Sequence, residues 1–218
     1  MRTKNEILNQ LTDPGIIAVV RAKKTSQALP IAEALLAGGV IAVEITMTTP
    51  DALGAIREVS SKLGEQALIG VGTVLDVPAC RAAIACGAQF VVSPICLTEL
   101  VTITNAAHKP VMLGAYTPTE AQLAHVVGAD FVKIFPADGL GPNYIKALRA
   151  PLPHLRIVPT GGVDLNTIGD FLRAGCPAVG VGSSLITKEI LEKDDWPQLA
   201  KRAAEFVNAA RAARAGMK

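Results

Sequence analysis

GADFVKIFPADGLGP, residues 128–142, is the stretch on which the reading of this chain turns. Taken with a period of two, FVKIF is a short strand whose two sides are both mostly apolar. A strand that is apolar on both faces suits a parallel sheet covered by helices. Lys133 sits in its middle. A lysine is almost never fully buried without a partner or a purpose, so this one marks a place where chemistry is expected.

Outward from that strand the same beat repeats. Short Val/Ile-rich runs occur at IIAVVR (16–21), VIAVEIT (40–46), ALIGVG (67–72), QFVVS (89–93), PVMLGA (110–115), DFVKIF (130–135), RIVPT (156–160) and AVGVG (178–182). Helix-like segments lie between them, such as SQALPIAEALLAGG and TIGDFLRAGC, and many close on Gly, the usual helix stop. Run starts are spaced by roughly 20–27 residues, one βα unit each. Eight such units predict an α/β protein, a single-domain (β/α)8 TIM barrel spanning 1–218 at the compact end of that fold's size range. An open doubly wound sheet would carry its Gly-rich turn after the first strand. Here that turn is RAKKTS, and the Gly-rich turns come late, at TGGVD and GVGSS. TKNEILNQL predicts a short N-terminal helix capping the barrel bottom. The tail predicts a C-terminal helix with Trp196, Leu199, Ala203, Phe206 and Ala210 toward the core.

Composition narrows the partners. A formal charge of +2 implies neither nucleic acid nor a membrane surface. The basic residues of AARAARAGMK read as the solvated face of the last helix. Four cysteines, at 80, 86, 96 and 176, show neither CxxC pairing nor metal-ligand spacing, so a reducing, cytoplasmic location is expected. No stretch has the uninterrupted apolar length of a membrane span or the pattern of a secretory signal.

In a barrel, alternate strand residues point inward and the active site lies at the C-terminal mouth. On the second strand Ile41, Val43 and Ile45 share one parity, leaving Glu44 and Thr46 to point in. On the sixth, Val132 and Ile134 face the helices while Phe131, Lys133 and Phe135 face the axis. One lysine and one glutamate are thus expected inside one apolar barrel near its mouth. A buried ion pair that merely fills the core adds little net stability. Burial instead disfavours the charged form of an amine or a carboxyl group. A neutral amine attacks carbonyls, and a carboxyl group beside it shuttles protons. That is the inventory of a Schiff-base enzyme, with Phe135 and Pro136 helping to exclude water.

A second constellation is PTGGVD after the seventh strand and GVGSS after the eighth. Each turn is expected to open a helix, so that exposed backbone N–H groups meet the positive end of a helix dipole, and these loops are the usual phosphate site of the fold. Gly161, Gly162, Gly182, Ser183 and Ser184 are the expected contacts, with Thr160 at the end of the seventh strand and a serine hydroxyl as a further donor. Arg21, ending the first strand beside the eighth, is placed to reach an anion. His108, His125 and His154 fall away from strand ends, which argues against metal-dependent barrel chemistry.

The motifs VEITMTTP, GVGTVLD, VVSP, VKIFPA, PTGGV and GVGSSL, in that order, resemble the bacterial 2-keto-3-deoxy-6-phosphogluconate aldolases, which often also act on 4-hydroxy-2-oxoglutarate. The resemblance covers about residues 10 to 210. It implies a class I aldolase without metal or other cofactor, assembled as a homotrimer and taking a phosphorylated keto acid. It implies Lys133 as the Schiff-base lysine, Glu44 as general acid/base, and Thr73 and Pro94 lining the pyruvate end. Phe135 packs on the lysine, and Arg21 with the glycines and serines above forms the phosphate end. One departure is Thr48, in EITMT, where well-known members carry an arginine assigned to the pyruvate carboxylate. A hydroxyl is a weaker carboxylate ligand than a guanidinium fork. Thr73 with backbone amides, Arg21, or a different preferred substrate each remain open as the compensation. Rival readings are an aldolase for the galactonate epimer, a phosphate-binding isomerase or epimerase, and a barrel that binds a sugar phosphate without turnover.

Overall fold

The structure is a computed structural model that describes residues 2–217. Met1 and Lys218, the ends of the expected domain, lie outside the described residues. Eight parallel strands form the barrel: β1 (Ile16–Val20), β2 (Ala42–Thr46), β3 (Leu68–Gly72), β4 (Val91–Val92), β5 (Val111–Ala115), β6 (Phe131–Ile134), β7 (Ile157–Pro159) and β8 (Val179–Val181). Helices alternate with them: α1 (Lys4–Thr12), α2 (Ala28–Ala37), α3 (Ala52–Leu63), α4 (Val77–Ala85), α5 (Glu99–Ala106), α6 (Pro118–Val126), α7 (Gly141–Arg149), α8 (Ile168–Arg173), α9 (Lys188–Lys193) and α10 (Trp196–Ala215). The strand order is β7-β6-β5-β4-β3-β2-β1-β8. Its ends meet through a single bridge, Thr160 to Gly180, which closes the ring.

All eight expected strands are present, but several are shorter than their apolar runs. In the fourth, only Val91 and Val92 pair as strand. The Gln89 backbone N–H still donates to the Ile69 carbonyl at 2.7 Å, while its side chain accepts from Ile69 N–H at 3.1 Å and donates to the Gly64 carbonyl, at the end of α3, at 3.2 Å.

Alternation splits the apolar residues into two layers. Val43, Ile45, Val132 and Ile134 join the helices in one core. Ile17, Ala42, Leu68, Phe90, Met112, Phe131 and Val158 fill the lower barrel, sealed by Ile7 and Leu11 of α1. The Thr3/Glu6 capping box fixes the start of that sealing helix. In α10, Leu199, Ala203, Phe206 and Ala210 are buried as expected, with Trp196 packed at the edge. The solvated-face reading of the tail applies to Arg211 but not to Arg214, whose guanidinium donates to the Pro177 carbonyl at 2.6 Å. No described helix is long and apolar enough to cross a membrane.

Candidate active site

Strand parity delivers the two charged groups to one point. Lys133 lies beside Gly114 of β5 and Val158 of β7, and Glu44 beside Val19 of β1 and Gly70 of β3. β2 and β6 are four strands apart on either path round the barrel, so the two side chains meet across its axis. Lys133 is 5% exposed and Glu44 2%. Lys133 Nζ donates to Glu44 Oε1 at 3.4 Å, a buried contact long enough for the pair to separate around a reactant. The ammonium also lies 5.5 Å from the centroid of the Phe135 ring. Among the described residues there is no group of three or more His, Cys, Asp or Glu side chains arranged to hold a metal ion.

The barrel lining around the pair is cut back to glycine. A methyl group at Gly72 would overlap the Glu44 carboxyl, and one at Gly114 would overlap the backbone of Pro94. That close approach sets the Pro94 loop against the strand position beside Lys133. Thr73, directly after β3, has φ +58°, left-handed backbone that a β-branched residue rarely adopts.

Thr48 is exposed and its hydroxyl is committed. Thr46 Oγ1 donates to the Val20 carbonyl at 3.1 Å, so in the 2.8 Å contact between the two threonines it is Thr48 that donates. Its one proton is therefore already spent, and in this arrangement it offers a carboxylate no donor.

The second constellation forms one cleft. Arg21, Phe135, Thr160, Gly161, Gly162, Gly182, Ser183 and Ser184 all line it, together with Val19, Val163, Asp164 and Gly180. Lys133, Glu44, Thr73 and Pro94 are outside that lining, and Phe135 is the residue common to both halves. Gly161 and Gly162 have φ of +92° and +68°, and a Cβ on Gly162 would come within 2.6 Å of Asp138 Cα. Arg21 has no hydrogen-bond or ion-pair partner among the described residues, and it is exposed at the lip beside Gly182.

One expectation about these loops needs correction. The glycine turns do not open helices directly, because α8 begins at Ile168 and α9 at Lys188. Asp164 holds the turn that leads into α8 instead, with Asn166 and Thr167 N–H donating to Asp164 Oδ1 at 2.8 and 2.9 Å. After β8 a single helical turn forms, Leu185 and Ile186 N–H donating to the Gly182 carbonyl at 3.0 and 2.9 Å. The N–H and C=O of a trans peptide point in opposite directions. The Ser183 N–H is thereby turned away from that turn, and it has no acceptor among the described residues. The Thr167 hydroxyl, on the Gly162 carbonyl at 2.9 Å, turns the Val163 N–H in the same manner. Of the two candidate hydroxyls, that of Ser184 donates to the Val163 carbonyl and so is not a free donor. Ser183 is exposed and carries the free hydroxyl.

Of the four lining residues that sequence reasoning missed, Val19, Val163, Asp164 and Gly180, Asp164 is the charged one. Its signal is an Asp three residues before Thr167 at a helix start, a capping pattern rather than a ligand pattern. His125 and His154, on α6 and in the loop before β7, pack with ring centroids 4.5 Å apart and planes tilted by 52°.

Comparison with known proteins agrees with this geometry. Residues 7–202 match the family model of the KDPG and KHG aldolases. A 2-dehydro-3-deoxy-phosphogluconate aldolase of Pseudomonas aeruginosa is 37% identical over 191 residues, 87% of this chain and 86% of the relative. A 2-dehydro-3-deoxy-6-phosphogalactonate aldolase of Escherichia coli is 35% identical, covering 91% of this chain and 95% of the relative. Among solved structures, the KDPG aldolase of Legionella pneumophila with pyruvate captured as a covalent carbinolamine superposes with a TM-score of 0.83 at 28% identity, covering 90% of this chain and 96% of that one. A chain from a designed cube-shaped cage, made by fusing symmetric oligomeric domains, gives 0.85 at 34% identity, over 93% of this chain and 74% of that one. On sequence and on fold alike, the chain belongs to the KDPG and KHG aldolase family.

Proposed function

We propose that residues 1–218 are one class I aldolase domain that cleaves 2-keto-3-deoxy-6-phosphogluconate to pyruvate and glyceraldehyde 3-phosphate, and that also acts on 4-hydroxy-2-oxoglutarate. The observation that carries this reading is the buried Lys133–Glu44 pair facing across the barrel at 3.4 Å. Transfer of the lysine proton to Glu44 leaves a neutral amine, which adds to the C2 ketone. Glu44 returns the proton, the carbinolamine loses water, and a protonated imine remains on Lys133. The Glu44 carboxylate then removes the C4 hydroxyl proton. The C3–C4 bond breaks with its electrons flowing into the imine, and the aldehyde leaves. Protonation of the enamine at C3 and hydrolysis release pyruvate and restore the amine.

Thr73 and Pro94 are assigned to the pyruvate end, with Phe135 shielding the lysine. Arg21, Thr160, Gly161, Gly162, Gly182 and Ser183 are assigned to the far end, where the phosphate of the substrate binds; Ser184 contributes its backbone. The galactonate epimer is the second substrate to weigh, because the 6-phosphogalactonate aldolase of Escherichia coli is 35% identical. The assembly is read as a homotrimer; the designed cage built from symmetric oligomeric domains, which this fold matches, supports an oligomer. Four free cysteines support a cytoplasmic location.

The test is intact-mass spectrometry after incubation with pyruvate and borohydride, with Lys133→Ala alongside. A gain of one reduced pyruvyl group in the wild type alone supports the scheme. An equal gain in both proteins would move the covalent step away from Lys133.

A further inference from the structure

Helix α10 reaches the phosphate end of the cleft through one side chain. Arg202 Nε donates to the Ser184 carbonyl at 2.6 Å. Its guanidinium lies 6.0 Å from the ring centroid of Phe206, one turn further along the helix and fully buried. Among the described residues no carboxylate comes within ion-pair distance of it, although Glu189 and Asp195 share the small surface pocket that it lines. A guanidinium half-buried under a loop, with its geometry set by a carbonyl rather than an acid, is placed to orient backbone.

The Ser184 peptide is the outer wall of the one-turn loop after β8. Fixing its carbonyl fixes the Leu185 N–H on the opposite side of the same plane, and that N–H donates to the Gly182 carbonyl at 3.0 Å. Fixing the Gly182 carbonyl in turn aims the Ser183 N–H toward the cleft. Two peptide planes in series therefore connect Arg202 to a donor that lines the cleft. The Ser184 hydroxyl, on the Val163 carbonyl, extends the same restraint to the loop after β7. We propose that Arg202 is the positioning residue of the phosphate subsite: it touches no substrate and acts by holding the loop after β8 with its N–H groups turned inward. This rests on the aldolase reading above for its substrates, but not for its central measurement.

That measurement is the affinity for inorganic phosphate, by calorimetry, of wild type, Arg202→Met and Arg202→Lys. Lysine keeps the charge and the stem but loses the Nε donor, and it serves as the readable variant if methionine impairs folding. Phosphate binding is expected to weaken about tenfold in each, the size of one charge-assisted hydrogen bond. For the phosphorylated keto acid KM rises by a similar factor and kcat stays within about twofold; for 4-hydroxy-2-oxoglutarate, which has no phosphate, both constants stay near wild type. Unchanged phosphate affinity in both variants overturns the proposal, as does an equal loss on the two substrates. A wild type that binds phosphate but turns over neither substrate refutes the aldolase reading instead, and the phosphate comparison still decides the role of Arg202.

Discussion

Substitution of Gly72 by alanine isolates the placement of Glu44 from its chemistry. Gly72 ends β3 with ordinary strand backbone, so only the added methyl group matters. Built there, it overlaps Glu44 Oε1 and lies 2.6 Å from Cγ and Cδ. Carbon atoms pack comfortably at about 3.5–4.0 Å, so the carboxyl group must withdraw by about 1 Å. A misplacement of that size costs about 10²-fold in rate, equivalent to about 2.7 kcal/mol of barrier. Overpacking adds about 1–3 kcal/mol of lost stability. A lactate dehydrogenase-coupled assay of pyruvate release measures the first quantity and a thermal melt the second. Lys133 is untouched, so borohydride trapping at high pyruvate still labels the variant. A folded Gly72→Ala protein with kcat/KM within about twofold of wild type would falsify the assignment of Glu44 as the proton shuttle at its observed position.

Three further outcomes follow from the same coordinates. Lys133→Met leaves the 2%-exposed Glu44 carboxylate without its partner and is expected to lose about 3–5 kcal/mol in denaturant melts, whereas Lys133→Met with Glu44→Met recovers most of that loss while remaining inactive; a double variant no more stable than the single one refutes this. Thr73→Gly removes the strain of φ +58° and is expected to raise stability by about 1 kcal/mol while weakening pyruvate trapping, and a lowered melting temperature counts against strain at that residue. Burial pushes the Cys80 thiol up to about 11 and the Cys176 thiol up to about 12, so at pH 8 about one Cys80 side chain in a thousand is thiolate and fewer still at Cys176. Both pKa values are raised, so their reactivity grows only as pH climbs toward them, and the half-exposed Cys96 is expected to take up iodoacetamide first in peptide mapping.

What the sequence reveals, and what it hides, divides along physical lines. The barrel and the meeting of Lys133 with Glu44 are legible because strand parity is a strict period of two, and eight βα units leave one closed arrangement. The cleft residues are legible because Gly161 and Gly162 occupy backbone that other residues avoid. Hydroxyl partners are not legible. Whether Ser184 serves a ligand or the Val163 carbonyl depends on the path of two loops, and the commitment of Thr48 to Thr46 depends on a carbonyl on another strand. The role of Arg202 is hidden for a similar reason: helical periodicity assigns it a face, not the loop beneath that face. Gln89 shows another limit: its backbone N–H pairs with the Ile69 carbonyl as a strand residue would, but the acceptor for the Ile69 N–H is the Gln89 side chain.

The ring of strands is laced unevenly. Six neighbouring pairs register over two or more residues, β3 and β4 register only at Val71–Val91, and the joint between β7 and β8 rests on the isolated Thr160–Gly180 bridge. The two glycine-rich loops, proposed above as the phosphate end, leave the sheet on either side of that joint. An anion gripped from both sides becomes a clasp across the open end of the hoop. Its binding energy then adds directly to the stability of the circle, in the measure set by ligand concentration over its dissociation constant.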